Sequence, residues 1–183
     1  MTTIFTELNL NRHKKLVTFA SQGRGEETVN YPSFEMVYET IKELPEVQFV
    51  VKPHPDESEK LHREFVAKLG LNNVVIVKNV AIKELLIASD VVMNIYSTVG
   101  IEALSMGKPL VSISLNFPKS YFPQGRGAYI AGSQKSLKAI VSRLVNGKIP
   151  KASGIKKTGR RYLFETGEAA CNNVARLADK LLK

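Results

Sequence analysis

Cysteine is almost absent from this chain of 183 residues, and so are long apolar runs. Its one cysteine, Cys171, has no partner for an internal disulfide, which fits a reducing compartment. No run approaches the roughly 20 apolar residues that span a bilayer, and the opening segment MTTIFTELNLNRHKK lacks the pattern of a signal peptide. We therefore expect a cytoplasmic protein.

Metal-ligating residues and cofactor motifs are also scarce. The three histidines, His13, His54 and His62, and the single cysteine do not stand at metal-ligand spacing. The sequence has neither the G-x-G-x-x-G fingerprint of dinucleotide-binding proteins nor the G-x-x-x-x-G-K-[ST] of P-loop enzymes. We therefore expect no metal and no cofactor in this chain, and we do not expect a dinucleotide-dependent dehydrogenase.

Positive charge is what the sequence has in excess, with a formal net charge of +9. The basic residues are spread along the chain without an RNA-reading aromatic signature, so nucleic acid is not the expected partner. An anionic nucleotide and peripheral contact with an anionic membrane surface are the remaining alternatives. The densest basic cluster, KIPKASGIKKTGRR at residues 148–161, contains Gly, Pro and Ser and predicts an exposed loop.

Apolar periodicity predicts an α/β chain in which short strands alternate with amphipathic helices. The predicted strands are residues 16–20, 47–51, 73–77, 91–93, 110–113 and 129–130. The predicted helices are residues 32–44, 56–69, 81–88, 99–106, 133–145 and 167–182. This order predicts a Rossmann-like, doubly wound parallel sheet of about six strands with helices on both faces.

The same pattern divides the chain into three parts. Residues 1–15 are polar and unpatterned and are predicted to be a lead-in or linker. Residues 16–147 form the Rossmann-like domain. Residues 148–183 are predicted to be the basic loop and a C-terminal helix that packs on the same domain.

The central motif is DVVMNIYSTVGIEALSMGKPLVSIS at residues 90–114, which predicts strand, helix, glycine stop and strand. Ser97 and Thr98 stand where the helix begins, and free N–H groups at a helix start favour a phosphate. Glu102 follows one turn later, within reach of a ribose. The alternative is that Thr98 only caps the helix and that Glu102 is a solvated acid.

Two other segments end predicted strands. Lys52-Pro53-His54-Pro55 holds His54 between two prolines, where an imidazole can donate to a phosphate or act as an acid for a leaving group. Gly23 and Arg24 follow the first strand, where glycine permits close backbone approach to a phosphate and arginine adds a charged donor. A loop histidine without a role and a flexible surface turn are the respective alternatives.

The longest predicted loop, residues 115–128, is rich in Pro, Gly and aromatic residues. A loop of this length at the carboxyl edge of a sheet is typically functional or mobile. We expect Phe117, Tyr121 and Phe122 to be exposed, as a lid or an interdomain contact requires.

The motifs K-P-H-P, A-S-D-V-V and S-T-V-G-I-E-A-L-S-M-G-K-P-L together resemble the donor-binding, C-terminal half of a GT-B glycosyltransferase. The resemblance covers most of residues 16–145. It is nearest in character to the capsule and surface polysaccharide enzymes, with the glycerophosphotransferases of teichoic acid synthesis as relatives. The UDP-N-acetylglucosamine 2-epimerases share the E-A-x-x-x-G-K-P end of the pattern.

This resemblance implies a UDP- or CMP/CDP-activated donor laid across the carboxyl edge of the sheet. It assigns His54, Ser97 and Thr98 to the donor phosphate, Glu102 to the ribose hydroxyls, and Asn79 and Val80 to the base. It also implies a missing amino-terminal half, in the same chain or as a separate subunit, that carries the acceptor site. Without that half we expect the isolated chain to be inactive as a transferase.

Three functional hypotheses follow from the resemblance. The chain is the donor-binding half of a glycosyltransferase, half of a UDP-sugar 2-epimerase-like enzyme, or a non-catalytic nucleotide-binding module. Epimerases have a glycine pair where this chain has Ser97 and Thr98, which disfavours the second hypothesis.

Overall fold

The computed structural model describes residues 3–22, 27–115, 118–119, 122–163 and 167–182, and for residues 3 and 27–30 it gives the backbone alone. The strands are β1 (Leu16–Ala20), β2 (Gln48–Lys52), β3 (Val74–Ile76), β4 (Val91–Asn94), β5 (Leu110–Ile113) and β6 (Ala128–Ala131). The helices are α1 (Thr3–Glu7), α2 (Glu27–Lys42), α3 (Glu59–Leu69), α4 (Ile82–Ala88), α5 (Val99–Ser105), α6 (Gln134–Val145), α7 (Ala152–Gly159) and α8 (Glu168–Leu181).

The six strands form one parallel sheet in the order β3-β2-β1-β4-β5-β6. This confirms the predicted Rossmann-like fold. The central strand β1 pairs with β2 on one side and β4 on the other, with Thr18 opposite both Val50 and Val92. Because the chain reverses its direction of winding between β1 and β4, a crevice opens there at the carboxyl ends of the strands, where open α/β sheets bind their ligands.

Helices cover both faces of the sheet, so the central strands are buried on both sides. One face, which includes Phe19 and Met93, packs against α2, α3 and α6. The other face includes Val92 and Leu110 and packs against α4, α5 and α7, while α1 and α4 cover its end near Leu16.

Helix boundaries follow local signals in most places. Helix α3 begins after Ser58, whose hydroxyl accepts the Lys60 N–H, and ends at Gly70 in a left-handed conformation with φ 63°. Helix α6 begins with a capping box formed by Ser133 and Ser136. Helix α2 begins five residues earlier than predicted and has Pro32 inside it.

The segment before β1 is part of the domain, which corrects the prediction of a lead-in or linker. Helix α1 contacts α4, and the Ile4 side chain is buried beside Leu16 and Val80. The Gln48 amide at the start of β2 then binds the backbone at both N–H and C=O of Asn11. These bonds hold the segment that leads into β1 against the start of β2.

The basic segment 148–161 is not the predicted loop, because residues 152–159 form α7 and pack on α5. The buried residues of α7 are Ile155, Thr158 and Gly159. Gly159 permits the close approach to α5. A Cβ added at Gly159 would lie 2.5 Å from the Ser105 N. The lysines 156 and 157 remain on the exposed face.

Helix α8 differs from the prediction in its packing. It is amphipathic as predicted, but none of its residues is buried. Val174, Leu177 and Leu181 are 69%, 59% and 78% exposed. The apolar face of α8 therefore has no partner within the part of the chain that the structure describes.

Candidate nucleotide site

Polar side chains gather at the carboxyl ends of β1, β2, β4 and β5, beside the crevice between β1 and β4. A cavity of about 230 Å³ opens at the ends of β4 and β5. Its lining residues are Asn94, Tyr96, Ser97, Thr98, Ile101, Ser112, Phe122 and Pro123. Five of these eight carry a polar side chain, which suits a polar ligand better than an apolar one.

Asn94 and Ser112 form the polar floor of this cavity and are both buried. The Ser112 hydroxyl donates to Asn94 Oδ1 at 2.9 Å, and Asn94 Nδ2 donates to the Ser97 carbonyl at 2.7 Å. The amide of Asn94 thus joins β5 to the turn that carries the predicted phosphate residues. Its hydrogen bonds hold that turn in one position.

Ser97 and Thr98 lie at the start of α5, as the sequence predicts, and both line the cavity. The Ser97 hydroxyl accepts the Val99 N–H at 3.3 Å. Thr98 is the N-cap residue of α5, but it is exposed and its side chain makes no capping bond. Glu102 lies one turn further along, half-buried, and does not line the cavity.

Gly100 allows α5 to lie close to the sheet. A Cβ at this position would stand 2.6 Å from Asn94 Nδ2 and 2.8 Å from a methyl carbon of Leu110. The glycine in the S-T-V-G motif is therefore a packing requirement of the site rather than a ligand contact.

His54 follows β2, and its side chain is 38% exposed. Its Nδ1 accepts the Asp56 N–H at 3.2 Å. A nitrogen that accepts carries no proton, so the neutral ring carries its proton on Nε2. His54 therefore presents an N–H donor at the carboxyl edge of the sheet.

The Glu57 carboxylate anchors the backbone around His54. Its Oε2 accepts the His54 N–H at 3.0 Å, and its Oε1 accepts Ser21 Oγ at 3.0 Å and His62 Nε2 at 2.9 Å. Burial by itself raises the pKa of the Glu57 carboxyl, but the hydrogen bonds from His62, His54 and Ser21 and the charge of His62 together lower that pKa below its usual value.

Two lysines join the loop after β3 to β2 and to the segment that follows β2. Lys52 Nζ donates to the Lys78 carbonyl at 2.7 Å, and Lys78 Nζ donates to the Glu57 carbonyl at 2.8 Å. Burial lowers the pKa of Lys52, and the neighbouring Lys78 charge lowers it further. The loop continues through Asn79, which is exposed, to Val80, whose side chain is buried in the core cluster with Leu16.

Lys108 of the G-K-P motif lies at the opposite edge of the sheet, away from the cavity. Its Nζ donates to the carbonyls of Ile87 and Ser89 at 2.8 and 2.9 Å, where α4 ends. Burial lowers the pKa of Lys108, and the Asp90 carboxylate opposes that shift. This motif lysine therefore stabilises a helix end.

The fold brings the predicted phosphate residues to one edge but distributes them over two loops. Ser97 and Thr98 share the cavity, and His54 follows β2, two strands away from β4.

Phe122 was predicted to be exposed and is instead 3% exposed, and it forms part of the cavity wall. The predicted residues Gly23, Arg24, Phe117 and Tyr121 lie outside the described residues.

Three residues of this edge were not predicted from the sequence: Asn94, Ser112 and Glu57. Asn94 and Ser112 are polar residues inside otherwise apolar strands, which is a signal for a polar floor. Glu57 stands three residues after His54, at the spacing that closes a turn, and the Glu57 N–H donates to the His54 carbonyl at 2.9 Å.

Among the residues that the structure describes, no group of three or more His, Cys, Asp or Glu side chains could hold a metal ion. Among the same residues, no helix has both the length and the apolar composition needed to cross a membrane.

Comparison with known proteins relates the chain to capsule polysaccharide biosynthesis proteins. A family model described as capsule polysaccharide biosynthesis protein matches residues 7–117, more than half of the chain. Comparison with curated protein sequences found no match.

Three solved structures illustrate the similarity of fold. The wall teichoic acid polymerase TagF with CDPG has a TM-score of 0.63 and 16% identity over 97% of this chain and 44% of that one. HepE from Anabaena in complex with UDP has a TM-score of 0.62 and 18% identity over 92% and 48%. The UDP-GlcNAc 2-epimerase from Neisseria meningitidis bound to UDP-GlcNAc has a TM-score of 0.60 and 14% identity over 89% and 48%.

These similarities confirm the predicted resemblance in fold to GT-B glycosyltransferases and UDP-GlcNAc 2-epimerases. At identities of 14% to 18% they establish a shared fold alone. The chain spans a little under half the length of each of these three proteins.

Proposed function

The chain belongs to the capsule polysaccharide biosynthesis protein family, and we propose that it is the donor-binding half of a glycosyltransferase. It would bind a UDP- or CMP/CDP-activated sugar or glycerol phosphate at the carboxyl edge of the sheet. The observation that carries this proposal is the cavity at the ends of β4 and β5, lined by Ser97 and Thr98 beside the crevice of the sheet.

The residues of this edge supply donors suited to a phosphate. The Thr98 hydroxyl makes no capping bond, and the Ser97 hydroxyl can donate its proton while it accepts the Val99 N–H. His54 holds a proton at Nε2, from which it would bind a phosphate oxygen or assist departure of the phosphate leaving group. Hydrogen bonds to charged oxygens contribute about 1.5–3 kcal/mol each.

Ribose and base contacts are assigned from the family pattern. Glu102 is half-buried one turn beyond Thr98, so its carboxylate would accept ribose hydroxyls at the edge of the cavity. Asn79 is exposed and offers a side-chain amide to a base. Because the Val80 side chain is buried, this residue would contribute through its backbone groups.

The similar proteins motivate the class of donor. TagF is observed with CDPG, HepE with UDP, and the epimerase with UDP-GlcNAc. A UDP- or CDP-linked donor is therefore the class to test first. We expect no cofactor and no metal to be required by this half.

A second half is part of the proposal. A cavity of about 230 Å³ is smaller than the roughly 300–1,000 Å³ of typical ligand pockets, so it would hold only part of a donor. The apolar face of α8 has no partner within the described residues, which fits contact with a further domain or subunit. That half would carry the acceptor site and close over the donor.

The site of action would be the cytoplasm, with peripheral contact at the inner face of the membrane. The exposed lysines and arginines of α7 and the following turn would supply the attraction to anionic lipid. Nucleic acid is not an expected partner.

A panel of nucleotides tests the proposal. Thermal unfolding would be followed with UDP, UMP, CDP, CMP, GDP and ADP, because a ligand that binds the folded state raises the melting temperature by mass action. We expect a uridine or cytidine nucleotide to give the largest rise. Equal responses to all six, or none, would contradict the proposal, and conversion of UDP-GlcNAc to its 2-epimer by the chain would instead favour the epimerase alternative.

A further inference from the structure

A buried chain of polar side chains lies beneath the candidate site and joins four elements. It runs from Ser21 after β1 to Glu57, then to His62 on α3 and Tyr38 on α2. The Tyr38 hydroxyl lies 2.8 Å from His62 Nδ1. Glu57 is 6% exposed and His62 is fully buried.

The hydrogen-bond partners fix the roles of Glu57, His62 Nε2 and the Ser21 hydroxyl. Glu57 has a lowered pKa and accepts three donors, so it is ionised at neutral pH. An ionised carboxylate can only accept, so His62 Nε2 carries a proton and donates it. The Ser21 hydroxyl donates to the carboxylate rather than to an imidazole, so this is not a nucleophile and base pair.

We propose that Glu57 is a positioning residue that holds the loops after β1 and β2 in one relative arrangement, with His62 as its fixed partner. This inference deepens the proposed function, because Glu57 accepts the backbone N–H of His54, the residue that carries the predicted phosphate donor. Two oxygens of one carboxylate hold the His54 N–H and the Ser21 hydroxyl. Movement of either loop alone would break a bond to a buried charge, which is costly.

The surroundings of His62 explain why the carboxylate cannot turn away. The imidazole packs against Phe34, with ring centroids 5.1 Å apart, and Tyr38 occupies its other nitrogen. The imidazole therefore has one orientation in which Nε2 faces Glu57. A rigid donor on one side keeps both carboxylate oxygens aimed at the two loops.

The first test needs no nucleotide. Hydrogen exchange of the His54 amide would be measured in the unmodified chain and in Glu57→Gln, with Glu59→Gln as the control, since Glu59 pairs with Arg63 on the surface of α3. We expect exchange at least about 10-fold faster in Glu57→Gln and unchanged in Glu59→Gln. Glutamine has one acceptor oxygen where Glu57 has two, so it cannot hold the His54 N–H together with the Ser21 and His62 donors.

A pair of His62 variants separates positioning from mere packing. Gln places its amide nitrogen where histidine has Nε2, whereas Asn places it nearer Nδ1. His62→Gln should keep the bond to Glu57 and protect the His54 amide to within about 3-fold of the original, while His62→Asn should lose about 10-fold. Equal exchange in the two variants would overturn the inference, even if Glu57→Gln failed to fold.

Calorimetry with UDP and uridine then tests the consequence for binding. Glu57→Gln and His62→Asn should weaken UDP binding by about 10-fold and leave uridine within about 2-fold, because only the phosphate meets His54. If the unmodified chain binds UDP and Glu57→Gln binds it equally well, Glu57 does not position the phosphate site. If the unmodified chain binds no UDP, the proposed function loses its support, while amide exchange still decides the role of Glu57.

Discussion

Substitution of Gly100 by alanine tests how closely α5 must approach the sheet to form the candidate site. The new Cβ would stand 2.6 Å from Asn94 Nδ2 and 2.8 Å from Leu110, closer than real Cβ contacts allow. Asn94 is buried, and its two hydrogen bonds hold Ser97 and Ser112, so it cannot move without loss. Overpacking costs about 1–3 kcal/mol, and an unsatisfied buried amide costs about 1–3 kcal/mol more.

We therefore expect Gly100→Ala to lower the free energy of unfolding by about 2–6 kcal/mol, measured by urea denaturation. Gly70→Ala is the matched control, because its Cβ meets nothing within 4 Å and only the left-handed φ of 63° is strained. That strain costs about 1–2 kcal/mol. A Gly100→Ala chain that is as stable as the unmodified chain would refute the close packing of α5 on Asn94.

Three further predictions concern single residues. His54→Ala should weaken binding of UMP by about 10-fold and of uridine hardly at all by calorimetry, whereas equal losses would exclude a phosphate contact. Gly159→Ala should lower the free energy of unfolding in urea by about 1–3 kcal/mol, because its Cβ meets the Ser105 backbone. The control Ser153→Ala, at an exposed position, should change it by no more than about 0.5 kcal/mol. Similar values for the two variants would contradict the packing of α7. Because the folded-state pKa of Glu57 is lowered, its carboxylate stabilises the fold above the unfolded-state pKa of about 4.3 and loses that effect as pH falls through the folded-state pKa. The gap in unfolding free energy between the unmodified chain and Glu57→Gln should therefore shrink between pH 7 and pH 3.5, and a gap that grows would be inconsistent with it.

Local signals were sufficient for the strands, for the end of α3 at Gly70, and for Ser97 and Thr98 at the start of α5. These features depend on neighbouring residues, which a sequence displays directly. The parallel order of strands then brings their carboxyl ends together, so His54 could be placed at the same edge without a structure.

Other features depend on contacts between distant residues. Gly154 and Gly159 are poor helix formers, yet α7 forms, with Gly159 packed against α5 and Gly154 against Arg126. Helix propensity does not reveal these contacts. The buried bond between Ser21 and Glu57 joins residues 36 apart. Phe122 is buried beside the ends of β4 and β5, and no periodic pattern in the sequence marks such a contact.

Helix α8 has the amphipathic pattern that the sequence predicts, but its apolar face is exposed and not packed on the domain. The apolar spacing predicted a buried helix face, and the helix has that face. Its burial requires a surface beyond the described residues. Tests of the second half should therefore begin with this helix.

The most direct test of the central claim is calorimetric titration of the double variant Ser97→Ala, Thr98→Val with the nucleotide that gives the largest thermal shift. If the cavity at the start of α5 holds donor phosphate, the double variant should bind about 1–3 kcal/mol more weakly and remain folded. Ser153→Ala, on the exposed side of α7, should bind as the unmodified chain does. Unchanged affinity in the folded double variant would contradict the assignment of this edge as the donor site.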